Sequence, residues 1–141
     1  HFIGTKLREK LLNLQQNDYP QTNYMVIGLF YRDFTYIDNV VQMNELAMLS
    51  DNSGATNTVY NTAYGDRTTL NQMVTLLKDY LSKFDSKIAE VEIVYGPNRA
   101  GDIPHSLASI DKAKRLLHYH PNYSFSEGLK EAVDWYWHNL K

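Results

Sequence analysis

The sequence contains no cysteine, which removes disulfides, thiolate nucleophiles and cysteine-held metals from consideration. It has little excess charge: 14 Lys and Arg stand against 16 Asp and Glu, a formal net charge of −2. The two signs are interspersed, so no basic field exists to hold nucleic acid or an anionic membrane surface. No apolar run approaches the roughly 20 residues needed to span a bilayer, and no signal-peptide core opens the chain. There is no repeat, low-complexity tract or obvious flexible linker. These absences leave a protein expected to be cytoplasmic, with neither nucleic acid nor membrane as a partner. At 141 residues the chain is one domain's worth of sequence, short for an enzyme of two substrates.

What is present alternates between two periodicities. Residues 3 to 16 carry Leu7, Leu11, Leu12 and Leu14 toward one side and Lys6, Arg8, Glu9 and Lys10 toward water, which predicts an amphipathic helix. Asp18 and Pro20 break it. "YMVIGLF" (24–30) has the continuous apolar pattern of a strand buried on both faces, and "DFTYI" (33–37) predicts a second strand. Asp38 is placed to cap a helix running through Val40, Val41, Leu46 and Leu49. "TVYNTA" (58–63) predicts another strand, and Gly65-Asp66 a turn. Thr69 with Gln72 makes a capping box for a helix using Leu70, Met73, Leu77 and Leu81. "AEVEIVY" (89–95) alternates like a half-buried strand. Ala113, Leu116 and Leu117 form a short helix that must stop before Pro121, and Ser124 with Glu127 opens a last helix. Strand and helix signals alternating along the chain predict an α/β fold.

Most catalytic signatures are missing: no G-x-S-x-G elbow, no H-E-x-x-H and no G-x-x-x-x-G-K-[ST] loop occurs. His118 and His120 lack a third ligand at sensible spacing and read as surface residues at a helix end. Trp135, Tyr136 and Trp137 are consecutive and cannot share one helix face, so packing with an exposed edge accounts for them. Arg32 and Asp33 could be a plain surface ion pair, and so could Arg99 and Asp102. Two arginines beside strand-adjacent loops also suit a diphosphate, whose oxygens match the guanidinium fork. An aspartate beside Arg99 could accept from ribose hydroxyls, and Gly101 would let the backbone approach.

Four ordered segments carry a family resemblance: "RDFTYIDNVVQ", "VYNTAYGDRTTLNQ", "RAGDIPHSLASIDKAKRLL" and "FSEGLKEAVDWY". Together they resemble the extended short-chain dehydrogenase/reductase enzymes that modify nucleotide sugars, above all the UDP-N-acetylglucosamine 4-epimerases, over residues 31–141. Ser109 and His118 stand where that pattern has an aspartate and a glycine. The opening "HFIGTKLREKLL" resembles the end of the family's glycine-rich dinucleotide loop and the helix after it.

The resemblance implies an α/β fold made of the C-terminal nucleotide-sugar-binding lobe (31–141) and a helix-and-strand remnant of the NAD-binding Rossmann unit (1–30). It places Arg99 and Arg32 on the diphosphate of a UDP-sugar and Asp102 on the uridine ribose. Ser106 falls beside the sugar, where a small residue leaves room for a 2-acetamido group. Phe2, Ile3 and Gly4 would face the pyrophosphate of NAD. The family's proton-transferring pair, Tyr-x-x-x-Lys, occurs at none of the eleven tyrosines. The expectation is therefore an internally deleted, truncated UDP-hexose 4-epimerase, inactive alone, with a non-catalytic binding module or a dehydratase remnant as the alternatives. An unpaired edge on "YMVIGLF" makes a homo-oligomer the expected state.

Overall fold

The computed structural model describes residues 30–93, 103 and 105–140. The predicted helix 3–16, most of strand 24–30, and Phe2, Ile3, Gly4, Arg99 and Asp102 lie outside the described residues. Four helices dominate: α1 (Ile37–Leu49), α2 (Leu70–Leu81), α3 (Asp111–Leu117) and α4 (Phe125–Asn139). Two short strands, β1 (Tyr31–Arg32) and β2 (Thr68–Thr69), pair antiparallel with Tyr31 opposite Thr69 and Arg32 opposite Thr68.

Both predicted capping boxes form. Thr69 accepts from the Gln72 amide while the Gln72 side chain accepts from the Thr69 amide, and Ser124 and Glu127 repeat the arrangement at α4. Each box satisfies amides that a helix start would leave without partners. Helix α1 departs from expectation. It begins at Ile37 with Tyr36 at the cap position and no side-chain cap, so Asp38 sits inside the first turn, where its charge favours the positive end of the helix. Helix α3 ends at His118, which takes a left-handed φ of 54° while its amide donates to Ala113 O.

Three predicted strands do not form among the described residues, the last of them, 89–95, being described only as far as residue 93. None of the strand expected at 33–37 forms: pairing is limited to Tyr31–Arg32 just before it, Asp33 accepts from backbone amides elsewhere, and Ile37 already starts α1. Residues 58–63 form no strand; Lys112 Nζ donates to Val59 O at 3.0 Å and Asn61 Nδ2 to Ser109 O at 3.1 Å instead. Residues Ser86–Glu90 wind into a 3-10 helix led by Asp85, whose side chain accepts from the Lys87 amide, and Val91 O accepts from Lys78 Nζ at 2.6 Å.

Two apolar clusters hold these elements. One joins Met43 of α1, Ala55, Ala63, Ile110, Ala113 and Leu117 of α3, and Tyr119. Tyr119 is fully buried and its hydroxyl donates to Ala63 O at 2.9 Å, which satisfies its one polar atom. The other packs α2 on α4 through Leu77, Leu81, Ile88 and Val133, edged by Phe84 stacked on Trp137 at 5.0 Å. Each fully buried Leu or Val side chain contributes roughly 1.5–3 kcal/mol. Trp135 stays exposed while Trp137 packs, as three successive helix positions require. Among the described residues no helix is long and apolar enough to cross a membrane.

Candidate functional site

The site is built outward from β1. Tyr31 makes a parallel bridge with His105, and the Ser106 amide donates to Tyr31 O at 3.2 Å. The rings of Tyr31 and His105 meet at 5.4 Å between centroids. Arg32 and the exposed Ser106 are thereby held on neighbouring segments although 74 residues separate them in the chain.

Arg32 is fixed by backbone. Its Nη1 donates to Ile103 O at 2.7 Å and to Tyr31 O at 2.9 Å, and its guanidinium lies 5.6 Å from the Phe30 ring centroid. A guanidinium has five N–H donors. Using both on Nη1 leaves Nη2 and Nε with their fork geometry, suited to two oxygens of an anion. Among the described residues no ion pair joins Arg32 to Asp33, so the plain surface-pair reading does not hold.

Asp33 has a different task. Its Oδ1 accepts from the Gly65 amide at 3.3 Å and its Oδ2 from the Ala108 amide at 3.4 Å. One carboxylate thus ties the end of β1 to the turn before β2 and to the segment after Ser106. Gly65 has φ of +84°, where a side chain would be strained, and an added Cβ would meet Ile110 Cδ1 at 3.0 Å. The sequence offered Asp33 only as an ion-pair partner of Arg32, because both of its actual partners, the Gly65 and Ala108 amides, lie far along the chain.

A cleft of about 600 Å³ opens beside this sheet, lined among others by Phe34, Thr68, Asn71, Thr75, Phe125 and Ser126. Thr68 stands directly across the ladder from Arg32, and such pairs share a face of the sheet. Phe34 forms one wall, stacked on Phe125 at 4.8 Å. Asn71 Oδ1 is buried without a hydrogen-bond partner among the described residues. It is an acceptor that a hydroxyl or N–H entering the cleft would satisfy. Nothing in the sequence marked these lining residues, because they meet only when α2, α4 and β1 converge.

The long helices offer little to a dinucleotide. The starts of α2 and α4 are closed by Thr69/Gln72 and Ser124/Glu127, so their free amides are engaged rather than open to a pyrophosphate. Glu127 is held below the usual carboxylate range, first by the Ser124 hydroxyl and then by the Ser124 amide, so a negative charge already occupies that helix start. Neither of these two helix starts therefore offers open amides to NAD. No group of three or more His, Asp or Glu side chains among them is placed to hold a metal, and His118 and His120 are exposed.

Comparison with known proteins gives the same neighbourhood from three directions. The family model for GDP-mannose 4,6 dehydratase matches residues 2–132. The UDP-N-acetyl-alpha-D-glucosaminuronate decarboxylase of Bacillus cytotoxicus is 30% identical over 107 residues, covering 74% of this chain and 32% of that protein. The UDP-glucose 4-epimerase of Thermotoga maritima, solved with UDP-glucose, superposes with a TM-score of 0.72 at 33% identity over 95% of this chain and 38% of its own. The UDP-N-acetylglucosamine 4-epimerase of Methanobrevibacter ruminantium M1, solved with UDP-N-acetylmuramic acid, gives 0.69 at 28% identity over 89% of this chain and 37% of its own. The chain thus spans about a third of the length of the relatives it matches. With its helices and small sheet superposing on these enzymes and its sequence matching the family model over nearly its whole length, the chain belongs to the extended short-chain dehydrogenase/reductase family of nucleotide-sugar epimerases and dehydratases.

Proposed function

We propose that the chain is the nucleotide-sugar-binding part of a UDP-hexose 4-epimerase, with UDP-N-acetylglucosamine as the sugar nucleotide. The carrying observation is the bridge between Tyr31 and His105, which holds the segment of Ser106 alongside that of Arg32, itself oriented by two carbonyls. Arg32 takes the diphosphate together with Arg99, Asp102 takes the ribose, and Ser106 stands beside the sugar at C2. The cleft between Phe34 and Asn71 receives the nucleoside end. NAD supplies the hydride acceptor in the whole enzyme, and Phe2, Ile3 and Gly4 are the residues of this chain assigned to it.

The chain alone binds without turnover. It has no Tyr-x-x-x-Lys, and a positioned acid–base group contributes a factor of about 10²–10⁴. An NMR titration with UDP on the parent, Arg32→Ala and Arg99→Ala tests the reading. The parent should bind at high micromolar concentration, and each loss of a charge-assisted contact, about 1.5–3 kcal/mol, should weaken binding roughly ten- to a hundredfold. Equal binding by the parent and both variants, or no response at millimolar UDP, would overturn it.

A further inference from the structure

The stretch that carries Ser106 has little apolar anchorage. Ser106 is exposed, Leu107 is 47% exposed, and Ile103 is 66% exposed. Burial takes hold of the chain again only at Ala108, packed against the Met43 cluster, and at Ile110 within it. What holds the stretch is polar, and it comes from Tyr31, Arg32 and Asp33 in succession. Arg32 Nη1 donates to Ile103 O at 2.7 Å, Tyr31 O accepts from the Ser106 amide at 3.2 Å, and Asp33 Oδ2 accepts from the Ala108 amide at 3.4 Å. The first two bonds tie the stretch to β1 alone. Asp33 differs, because its Oδ1 also accepts from the Gly65 amide at 3.3 Å. The Gly65 turn is itself set against the buried Ile110, whose Cδ1 would lie 3.0 Å from a Cβ built there. The carboxylate therefore joins a loosely packed stretch to the body of the domain. Among the described residues Asp33 makes no ion pair, so neither oxygen is drawn away to Arg32.

We propose that Asp33 is a positioning residue for the sugar nucleotide. By accepting from Gly65 and Ala108 at once, it fixes the separation between Arg32, on the diphosphate, and Ser106, beside the sugar. Granted the UDP-sugar reading of the site, on which this rests, Asp33 touches no ligand and acts through the backbone that carries Ser106. Two amides need two acceptors. A carboxylate supplies them, whereas a carboxamide has one and would set its own N–H against the second amide. A stretch free to open must be closed again when the sugar binds, so the clasp adds more to the affinity for a sugar nucleotide than to that for UDP. The coupling is reciprocal: a bound sugar must hold the clasp shut.

NMR titrations of the parent, Asp33→Asn and Arg32→Ala with UDP and UDP-N-acetylglucosamine test this, with amide hydrogen exchange followed in the parent. The parent should bind UDP-N-acetylglucosamine several-fold tighter than UDP. Asp33→Asn should bind UDP nearly as the parent does and lose that advantage, whereas Arg32→Ala should weaken both ligands. In the parent, UDP-N-acetylglucosamine should slow exchange at the Gly65 and Ala108 amides more than UDP does, relative to Val133 in the core of α4. That readout needs no variant, and a purely structural role for Asp33 would leave it unmoved. Equal losses for the two ligands in Asp33→Asn, or none, would overturn the proposal. So would equal slowing of exchange by both ligands, or a parent with no preference for the sugar nucleotide over UDP. No response to either ligand in the parent, or an Arg32→Ala protein that binds as the parent does, would instead overturn the UDP-sugar reading and the proposal with it.

Discussion

Gly128 of α4 lies against Tyr36 so closely that an added Cβ would fall 2.5 Å from Tyr36 Cβ and 2.6 Å from Cγ. The tyrosine is held from its other neighbours as well, with its ring 4.9 Å from that of Tyr123. The loop leading into α1 and the first turns of α4 therefore meet at a position only glycine can occupy. Gly128→Ala gains helix propensity of about 1 kcal/mol, but the contact is with Cβ and the near edge of the Tyr36 ring, and Cβ cannot swing aside without moving its backbone. Overpacking of this kind costs about 1–3 kcal/mol. The net expectation is a lower midpoint in thermal unfolding, and a midpoint equal to or above the parent's would refute the close-packing argument.

His118 gives the opposite case. Its φ of 54° places a side-chain-bearing residue where glycine is the usual solution, and its backbone amide already makes the capping bond to Ala113 O. His118→Gly keeps that bond and relieves the left-handed strain, against a small rise in unfolded-chain entropy. A stabilisation of about 0.5–1 kcal/mol is expected, seen as a higher urea midpoint with an unchanged slope. A loss of stability would mean that the imidazole makes a contact outweighing the strain.

The box at α4 predicts a pH dependence. Glu127 has its folded-state pKa lowered from 4.5, chiefly by the Ser124 hydroxyl. A depressed carboxyl contributes stability that is present above its unfolded value and disappears as pH falls through the lower folded value. Acid below about pH 4.5 should therefore weaken the start of α4, and Glu127→Gln, which keeps an acceptor but cannot titrate, should lose less between pH 6 and pH 3 than the parent does. Circular dichroism urea titrations at the two pH values decide it. Parallel losses in both proteins would remove Glu127 from the acid response.

How much of this was legible in the sequence depends on the range of each interaction. Both capping boxes were readable because their partners lie three residues apart. The strand at 58–63 and the described part, 89–93, of the one at 89–95 were misread because alternation shows which residues suit a ladder but not whether a neighbouring strand exists. Asn39 could not be foreseen at all. It is fully buried and clamps Tyr123, with Nδ2 donating to Tyr123 O at 2.7 Å and Oδ1 accepting from its amide at 3.0 Å, across 84 residues. Arg32, Arg99 and Asp102 were marked by their places in strand-adjacent loops, Ser106, Phe2, Ile3 and Gly4 by family resemblance alone; the Tyr31–His105 bridge holds the segments of Arg32 and Ser106 side by side, and the other five lie outside the described residues.

Ser106 offers the sharpest check on substrate choice. It is exposed, and its amide is pinned to Tyr31 O at 3.2 Å, so its side-chain origin is fixed relative to Arg32 while the space beyond it is open. If the diphosphate sits on Arg32, a large ring at position 106 intrudes on the substituent at C2 of the sugar and leaves the UDP contacts alone. Misfit on the scale of one or two methyl groups is worth about 1–3 kcal/mol. Ser106→Tyr should thus bind UDP as the parent does, bind UDP-glucose within a few-fold of the parent, and lose about tenfold or more in affinity for UDP-N-acetylglucosamine. NMR titrations of both proteins with the three ligands give the comparison. Equal losses for UDP-glucose and UDP-N-acetylglucosamine would show that position 106 does not read the acetamido group, and a loss for UDP itself would place the ring on the nucleotide rather than the sugar.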